Sequence, residues 1–218
     1  MKIYAVRHGQ TIFNMLDKVQ GWADTPLTNQ GEQDGLAAGA RLKHVKFDAA
    51  LSSDTSRAIH TAEFILSKNE HKKPELVAIP DWREFFFGSF EGTDNKEMWR
   101  TVAKALKITG QTHDEVAKQV DMTKIMDTIY NVDPQSLGEN AADFWQRMDA
   151  SLAKLQQNYA DDSTILLVTH GQLIWNLAKT YAHLQTADRP KNGSVSVFNL
   201  DSKGNLTVDE FNDLTTIF

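Results

Sequence analysis

The chain contains no cysteine, which removes disulfides and thiol-based catalysis together. It has no apolar run approaching the ~20 residues of a membrane-spanning helix. It has no surplus of positive charge either: 23 Lys and Arg against 29 Asp and Glu leave a net charge of −6. That balance argues against nucleic acid or an anionic membrane as a partner. No internal repeat and no low-complexity segment is present. The opening residues, Met1-Lys2-Ile3-Tyr4, run directly into an apolar strand and leave no space for a signal peptide. These absences describe a soluble cytoplasmic protein. What remains is ordinary globular material, 218 residues with 41% hydrophobic and 24% charged side chains. One domain with room for a sizeable insertion accounts for that length.

The strongest local signals are three short strands that stop abruptly at polar residues. Ile3 to Val6 is a buried-strand pattern followed by Arg7-His8-Gly9, where the missing side chain of Gly9 permits a sharp turn and close approach of a ligand. Phe47 to Ser53 is a second strand, and the helix predicted from Asp54 to Ser67 carries Arg57 in its first turn. Ser163 to Thr169 is the clearest fully buried strand, and it ends at His170-Gly171. Open α/β sheets place ligands at the carboxyl ends of their strands. Two arginines and two histidines delivered to one such edge suit a phosphate dianion and need no metal. The other histidines (His44, His60, His71, His113 and His183) lack metal-ligand spacing and read as solvated or structural.

Between these strands the pattern alternates strongly. Thr28 is a helix N-cap for a segment reaching about Lys43, and Glu75 to Ile79 reads as a third strand ended by Pro80. From Thr93 to about Gln135 the sequence turns polar and amphipathic, predicting two or three helices inserted as a cap over roughly 93–135. Gly138-Glu139-Asn140 opens a long helix with Phe144, Met148, Leu152, Leu155 and Tyr159 on one face. Leu173, Ile174, Leu177 and Tyr181 line the helix after His170, and Val195 to Phe198 with Leu206 to Val208 close the sheet. The predicted fold is α/β: a three-layer α/β/α arrangement with a mostly parallel central sheet and a helical cap insertion.

Arg7-His8-Gly9, Arg57 and His170-Gly171 closely resemble the motifs of the histidine phosphatase superfamily, whose founding members are the cofactor-dependent phosphoglycerate mutases. The resemblance runs from Lys2 to the closing strands and is loosest in the insertion. It implies that His8 is a nucleophile attacking phosphorus in its neutral form, with protonation disfavoured by Arg7, Arg57 and His170. Arg7 and Arg57 would clamp the phosphoryl oxygens with forked donors, and His170 would add a further donor. Glu84, three residues before Phe87-Gly88 and followed by Glu91-Gly92, matches the family's general acid and base, with Glu91 as the competing carboxylate. Burial against Phe85 to Phe87 would raise the Glu84 pKa while nearby arginines would lower it. Asn14, Gln20, Gly21 and Gly171 occupy positions where relatives contact phosphate or substrate. Asn140 stands where many phosphatase members have serine, a change between two helix-capping residues.

The implied activity is a metal-independent phosphomonoester hydrolase working through phosphohistidine on a small phosphorylated substrate, with no cofactor. A phosphoglycerate mutase is the alternative, and a non-catalytic phospho-ligand binding module is a third reading. The presence of both His8 and Glu84 weighs against the module. Against the mutase stand two departures: Arg100 is the only arginine between Glu84 and Arg147, where mutases have a tandem pair, and Phe87 replaces their usual tyrosine.

Overall fold

Successive residues of the first strand, β1 (Lys2–Arg7), point to opposite faces of the sheet, and both faces are dry. Ile3 and Ala5 join one core cluster, while Val6 joins the other. The same division runs through β2 (Ala49–Ser52) and β4 (Thr164–Thr169). Ala49, Leu51, Ile165 and Leu167 face one way; Ala50, Leu166 and Val168 face the other. A sheet apolar on both sides must be covered on both sides, which is the physical origin of the three layers.

The computed structural model describes residues 1–185 and 188–218. Its six strands run in the order β3-β2-β4-β1-β5-β6, with β3 at Leu76–Ala78, β5 at Val195–Leu200 and β6 at Leu206–Asp213. The β3–β2, β2–β4 and β4–β1 pairs are parallel, and β5 pairs antiparallel with both β1 and β6. The expected mostly parallel sheet is therefore present. Helices α2 (Asn29–Arg41) and α3 (Ser56–Lys68) cover the Val6 face through Ala38, Ala58, Ala62 and Ile65. The Thr28 side chain caps α2 by accepting from the Gly31 N–H. The strand before α3 is shorter than predicted, and the helix begins two residues later, at Ser56, with Arg57 still in its first turn.

The opposite face is covered by α7 (Ala141–Asn158) and α8 (Gly171–Asn176), the latter continuing as a π-helical turn over Leu177–Tyr181. Asn140 caps α7 through the Asp143 N–H, as its position implied. The segment expected to form a helical insertion contains three helices, α4 (Asn95–Leu106), α5 (His113–Ala117) and α6 (Met122–Val132), whose apolar stripes join the same core. A single helical turn, α1 (Ile12–Met15), follows the first strand. Among the described residues no helix is long and apolar enough to cross a membrane.

Candidate active site

The register brings three strand ends to one edge. Arg7 lies opposite Thr169, and Ser52 lies opposite Val168, so the residues that follow all emerge together. The backbone continues the ladder one step further, with the His8 N–H donating to the Thr169 carbonyl at 2.9 Å and the Ser53 N–H donating to Val168. Arg7, His8, Glu84 and Gly171 line a cleft of about 80 Å³, together with Asn14 and Gln20. His170 packs behind it, with its ring 5.2 Å from that of His8.

Both imidazoles are held in one tautomer by a neighbour. The Nδ1 atom of His8 lies 2.8 Å from the Gly9 carbonyl and must donate there, which leaves Nε2 with a free lone pair. An Arg57 Nη2 group donates to His170 Nδ1 at 3.1 Å, so the proton of His170 sits on Nε2, which has no partner among the described residues. One ring thus offers a nucleophilic nitrogen, the other a hydrogen-bond donor. Burial pushes His8 well below the usual imidazole range, reinforced by the charges of Arg57 and Arg7. Burial lowers His170 likewise, with Arg57, His8 and Arg7 adding to it. Both are neutral near pH 7.

Glu84 is 5% exposed and accepts two backbone hydrogen bonds, from Gln172 N–H at 2.8 Å and from its neighbour Phe85 at 3.0 Å. Of the two opposed effects on this carboxyl, burial wins and raises its pKa, against those N–H donors and the charges of Arg189 and Arg7. Its backbone is fixed from outside, since Arg147 pairs with Glu139 at 2.8 Å and donates to the carbonyls of Asp81, Arg83 and Glu84. Glu91, the competing carboxylate, is engaged elsewhere: it accepts from the N–H groups of Trp22, Ala23 and Phe87 and so anchors the loop after Gln20. Trp22 in turn stacks on Phe86, with ring centroids 4.7 Å apart.

Arg7 and Arg57 differ more than their sequence motifs suggest. Arg7 lines the cleft, donates to the Pro190 carbonyl at 2.8 Å, and is pulled down to about 10 by burial and by Arg189. Arg57 is fully buried, and both of its Nη groups are committed to the protein: to the Gly21 carbonyl (2.6 Å), the Ala23 carbonyl (2.9 Å), Asp24 (3.0 Å) and His170. The forked face expected for phosphate is occupied by the 21–24 loop, and Nε alone lacks a partner among the described residues.

The remaining expected contacts divide in the same way. Asn14 and Gln20 line the cleft, with Gln20 accepting from the Thr11 hydroxyl at 2.6 Å. Gly21 contributes its carbonyl to Arg57, and its lack of a side chain is a packing requirement: a Cβ there would lie 2.1 Å from the Phe85 carbonyl oxygen. Gly9 is small for a similar reason and not for ligand approach, because a Cβ would meet the Gly31 carbonyl of α2 at 2.1 Å. Arg100 is away from the cleft, exposed, and bonded to Gln111. His113 is buried between the edges of Trp99 and Trp175, a structural placement.

Besides the wall residues Lys18, Val19, Asn95, Met98 and Trp99, the sequence reading missed Arg189 and Asn192. Arg189 lines the cleft from the segment before β5, and Asn192 donates to the His8 carbonyl and to Asn14. The only sequence signal at either is the turn-forming run Arg189-Pro190-Lys191-Asn192-Gly193, which marks a loop and gives no hint of its destination.

Comparison with known proteins gives matches across nearly the whole chain. The model of the histidine phosphatase superfamily (branch 1) matches residues 3–109 and 103–214. The crystal structure of a phosphoglycerate mutase from Bacillus anthracis str. Sterne superposes with a TM-score of 0.90 at 33% identity, covering 98% of this chain and 93% of that one. A 2,3-bisphosphoglycerate-dependent phosphoglycerate mutase of Bartonella tribocorum is 30% identical over 76% of this chain and 74% of its own. A fructose-2,6-bisphosphatase, TIGAR B of Danio rerio, is 42% identical over 46% of this chain and 39% of its own.

Proposed function

The chain belongs to the histidine phosphatase superfamily, branch 1, and we propose that it is a metal-independent phosphomonoester hydrolase working through a phosphohistidine on His8. The observation that carries this reading is the pairing of the two imidazoles. The carbonyl of Gly9 keeps the proton on His8 Nδ1, so Nε2 can attack phosphorus, while His170 presents an N–H beside it. In the first step a P–N bond forms as the P–O ester bond breaks, and the protonated Glu84 gives its proton to the leaving alkoxide. In the second, water attacks the phosphohistidine, Glu84 takes one proton from it, and the P–N bond breaks to release phosphate. Arg7 and the Nε2–H of His170 stabilise the charge on the transferring oxygens. The raised pKa of Glu84 suits a group that must first hold a proton.

The test is trapping. His8→Ala is expected to abolish turnover of p-nitrophenyl phosphate in the presence of EDTA, and the native enzyme to yield an acid-labile, base-stable phosphoenzyme. Full activity in the variant, or a phosphoenzyme of opposite stability, would falsify this mechanism.

Mutase activity is the second reading, supported by the two mutase relatives and by Arg189, a cation beyond the phosphoryl pocket. Favouring transfer over hydrolysis a thousandfold requires about 4 kcal/mol of differential stabilisation. The insertion contributes no arginine to the cleft, and Phe87 lines it without a hydroxyl. Hydrolysis is therefore expected to exceed interconversion of 3- and 2-phosphoglycerate in a coupled assay primed with 2,3-bisphosphoglycerate.

A further inference from the structure

Glu84 stands in a segment that cannot hold its own shape. Between the helical turns at Pro80–Trp82 and Gly88–Phe90, residues 83–87 form neither helix nor strand. Buried carbonyls there must find donors elsewhere in the chain. One guanidinium supplies three of them. Arg147 Nη1 donates to the carbonyls of Asp81 at 2.7 Å and Arg83 at 2.9 Å, and Nη2 donates to that of Glu84 at 3.3 Å. The same group grips both carboxylate oxygens of Glu139, through Nε at 2.9 Å and Nη2 at 2.8 Å. Glu139 completes the hold one step further on. Its carboxylate accepts from the Phe86 N–H, and its own N–H donates to the Phe86 carbonyl. A single ion pair thus fastens the backbone at residues 81, 83, 84 and 86, on both sides of the general acid.

Stability alone does not account for this pair. Its side chains are only 14% and 9% exposed, and an ion pair so far withdrawn from water often stabilises no more than apolar side chains of the same volume. What apolar side chains cannot do is aim donors. All five N–H groups of the guanidinium are committed, in fixed directions, to the Glu84 segment and to Glu139. Direction matters because, among the described residues, the Glu84 carboxylate is hydrogen-bonded by backbone only, through the N–H groups of Gln172 and Phe85. Where that carboxylate stands is therefore decided by where its own backbone stands. Trp22 Nε1 also donates to the Glu84 carbonyl, but it touches none of the neighbouring carbonyls that Arg147 holds. Lys154 reaches the segment only through the Asp81 side chain.

We propose that Arg147 and Glu139 are positioning residues for the general acid: by seating the backbone of residues 81–86 they set where the Glu84 carboxyl stands, and so control proton delivery to the leaving group. This rests on the phosphomonoesterase reading and deepens it. Neither residue hydrogen-bonds Arg7, His8 or His170, so grip on the phosphoryl group is left to those three. The Arg147 charge does add, after burial, Arg57, His8 and Arg7, to the lowering of the His170 pKa. Glu139→Gln keeps that charge while weakening the pair, and separates the two effects.

The experiment compares kcat/KM for two substrates that differ only in a nitro group. Phenyl phosphate expels the more basic phenolate and gains from a proton in the transition state, whereas p-nitrophenyl phosphate gains little. The ratio of the two kcat/KM values should move toward p-nitrophenyl phosphate by roughly tenfold or more in Arg147→Met, and less far in the same direction in Glu139→Gln. Arg147→Lys should recover only part, because one ammonium cannot reproduce the fork. In a Glu84→Gln background, Arg147→Met should change the ratio by less than about twofold, since nothing is left to position. Amide exchange gives a readout without turnover. The Gln172 N–H, in the first turn of α8, has no acceptor within the helix and bonds Glu84 Oε2 instead. In Arg147→Met it should exchange about tenfold faster relative to the Ile174 N–H, which bonds the His170 carbonyl. An unchanged ratio with both substrates slowed equally, the same shift in the Glu84→Gln background, or unaltered Gln172 exchange would overturn the proposal. Failure of both Arg147→Met and Glu139→Gln to fold would also overturn it, by making the pair structural. If the native enzyme turns over neither substrate while Gln172 exchange responds as expected, the hydrolase reading fails and the seating of Glu84 stands.

Discussion

Replacing Arg57 by alanine is the perturbation whose size the structure sets most directly. The side chain is fully buried and supplies two carbonyls, one carboxylate and one imidazole with their hydrogen bonds. Its removal leaves the Gly21 and Ala23 carbonyls and His170 Nδ1 without a donor, each a loss on the order of 1–3 kcal/mol if water cannot reach it. Asp24 is 29% exposed and recovers some hydration, so its share is smaller. Taken together, and allowing for relaxation of the 21–24 loop, Arg57→Ala should destabilise the fold by about 3–5 kcal/mol. For a chain of this size that corresponds to a fall of about 6–20 °C in Tm. The same substitution frees the His170 tautomer and withdraws a preorganised positive charge, so kcat should fall roughly 10²–10³-fold. Urea unfolding measures the first effect, steady-state kinetics the second, and nitrogen NMR of the histidines reports which ring nitrogen of His170 carries the proton. Arg57→Lys should restore only part of each, because one ammonium cannot span four acceptors. A loss of stability below about 1 kcal/mol, together with near-normal kcat/KM, would refute the claim that this guanidinium binds loop and imidazole into one unit.

Three further outcomes follow from the same geometry. The rate should have an acid limb set by His8, which must be neutral and whose depressed pKa keeps it so well below pH 6.5, and an alkaline limb set by Glu84, which must be protonated and loses its proton as pH rises through its raised value. Glu84→Gln should erase the alkaline limb of kcat/KM and lower kcat/KM roughly 10²–10⁴-fold with alkyl phosphates, but much less with p-nitrophenyl phosphate, whose leaving group needs no proton in the first step; an unchanged limb would reassign the acid. Glu91→Gln should keep the alkaline limb while raising KM, since Glu91 holds the backbone of Trp22 and Ala23 rather than a proton in transit; loss of the limb there would reverse the assignment of the two carboxylates.

What the sequence determined by itself was local or periodic. A strand buried on both faces needs an unbroken apolar run, so β1, β2 and β4 were legible, and each stops where its polar residues begin. Helix caps at Thr28 and Asn140 were legible for the same reason, because a cap is a bond between residues three apart. The motif residues Arg7, His8 and His170 were found at the cleft or against it, where their strand ends pointed, and Glu84 reaches the cleft from the loop after Trp82. The tertiary structure alone decided the rest. Arg57 sits where expected, yet its Nη groups are taken by a loop far away in the chain, and no spacing encodes that competition. Gly9 looked like a ligand-facing glycine and proved to be the point where β1 and α2 touch. Arg189 had no signal beyond the loop it sits in: it reaches the cleft because the chain returns to β1 through an antiparallel strand, and the loop before that strand crosses the site edge. A side chain brought in by topology carries no local pattern, since its neighbours in space are not its neighbours in sequence.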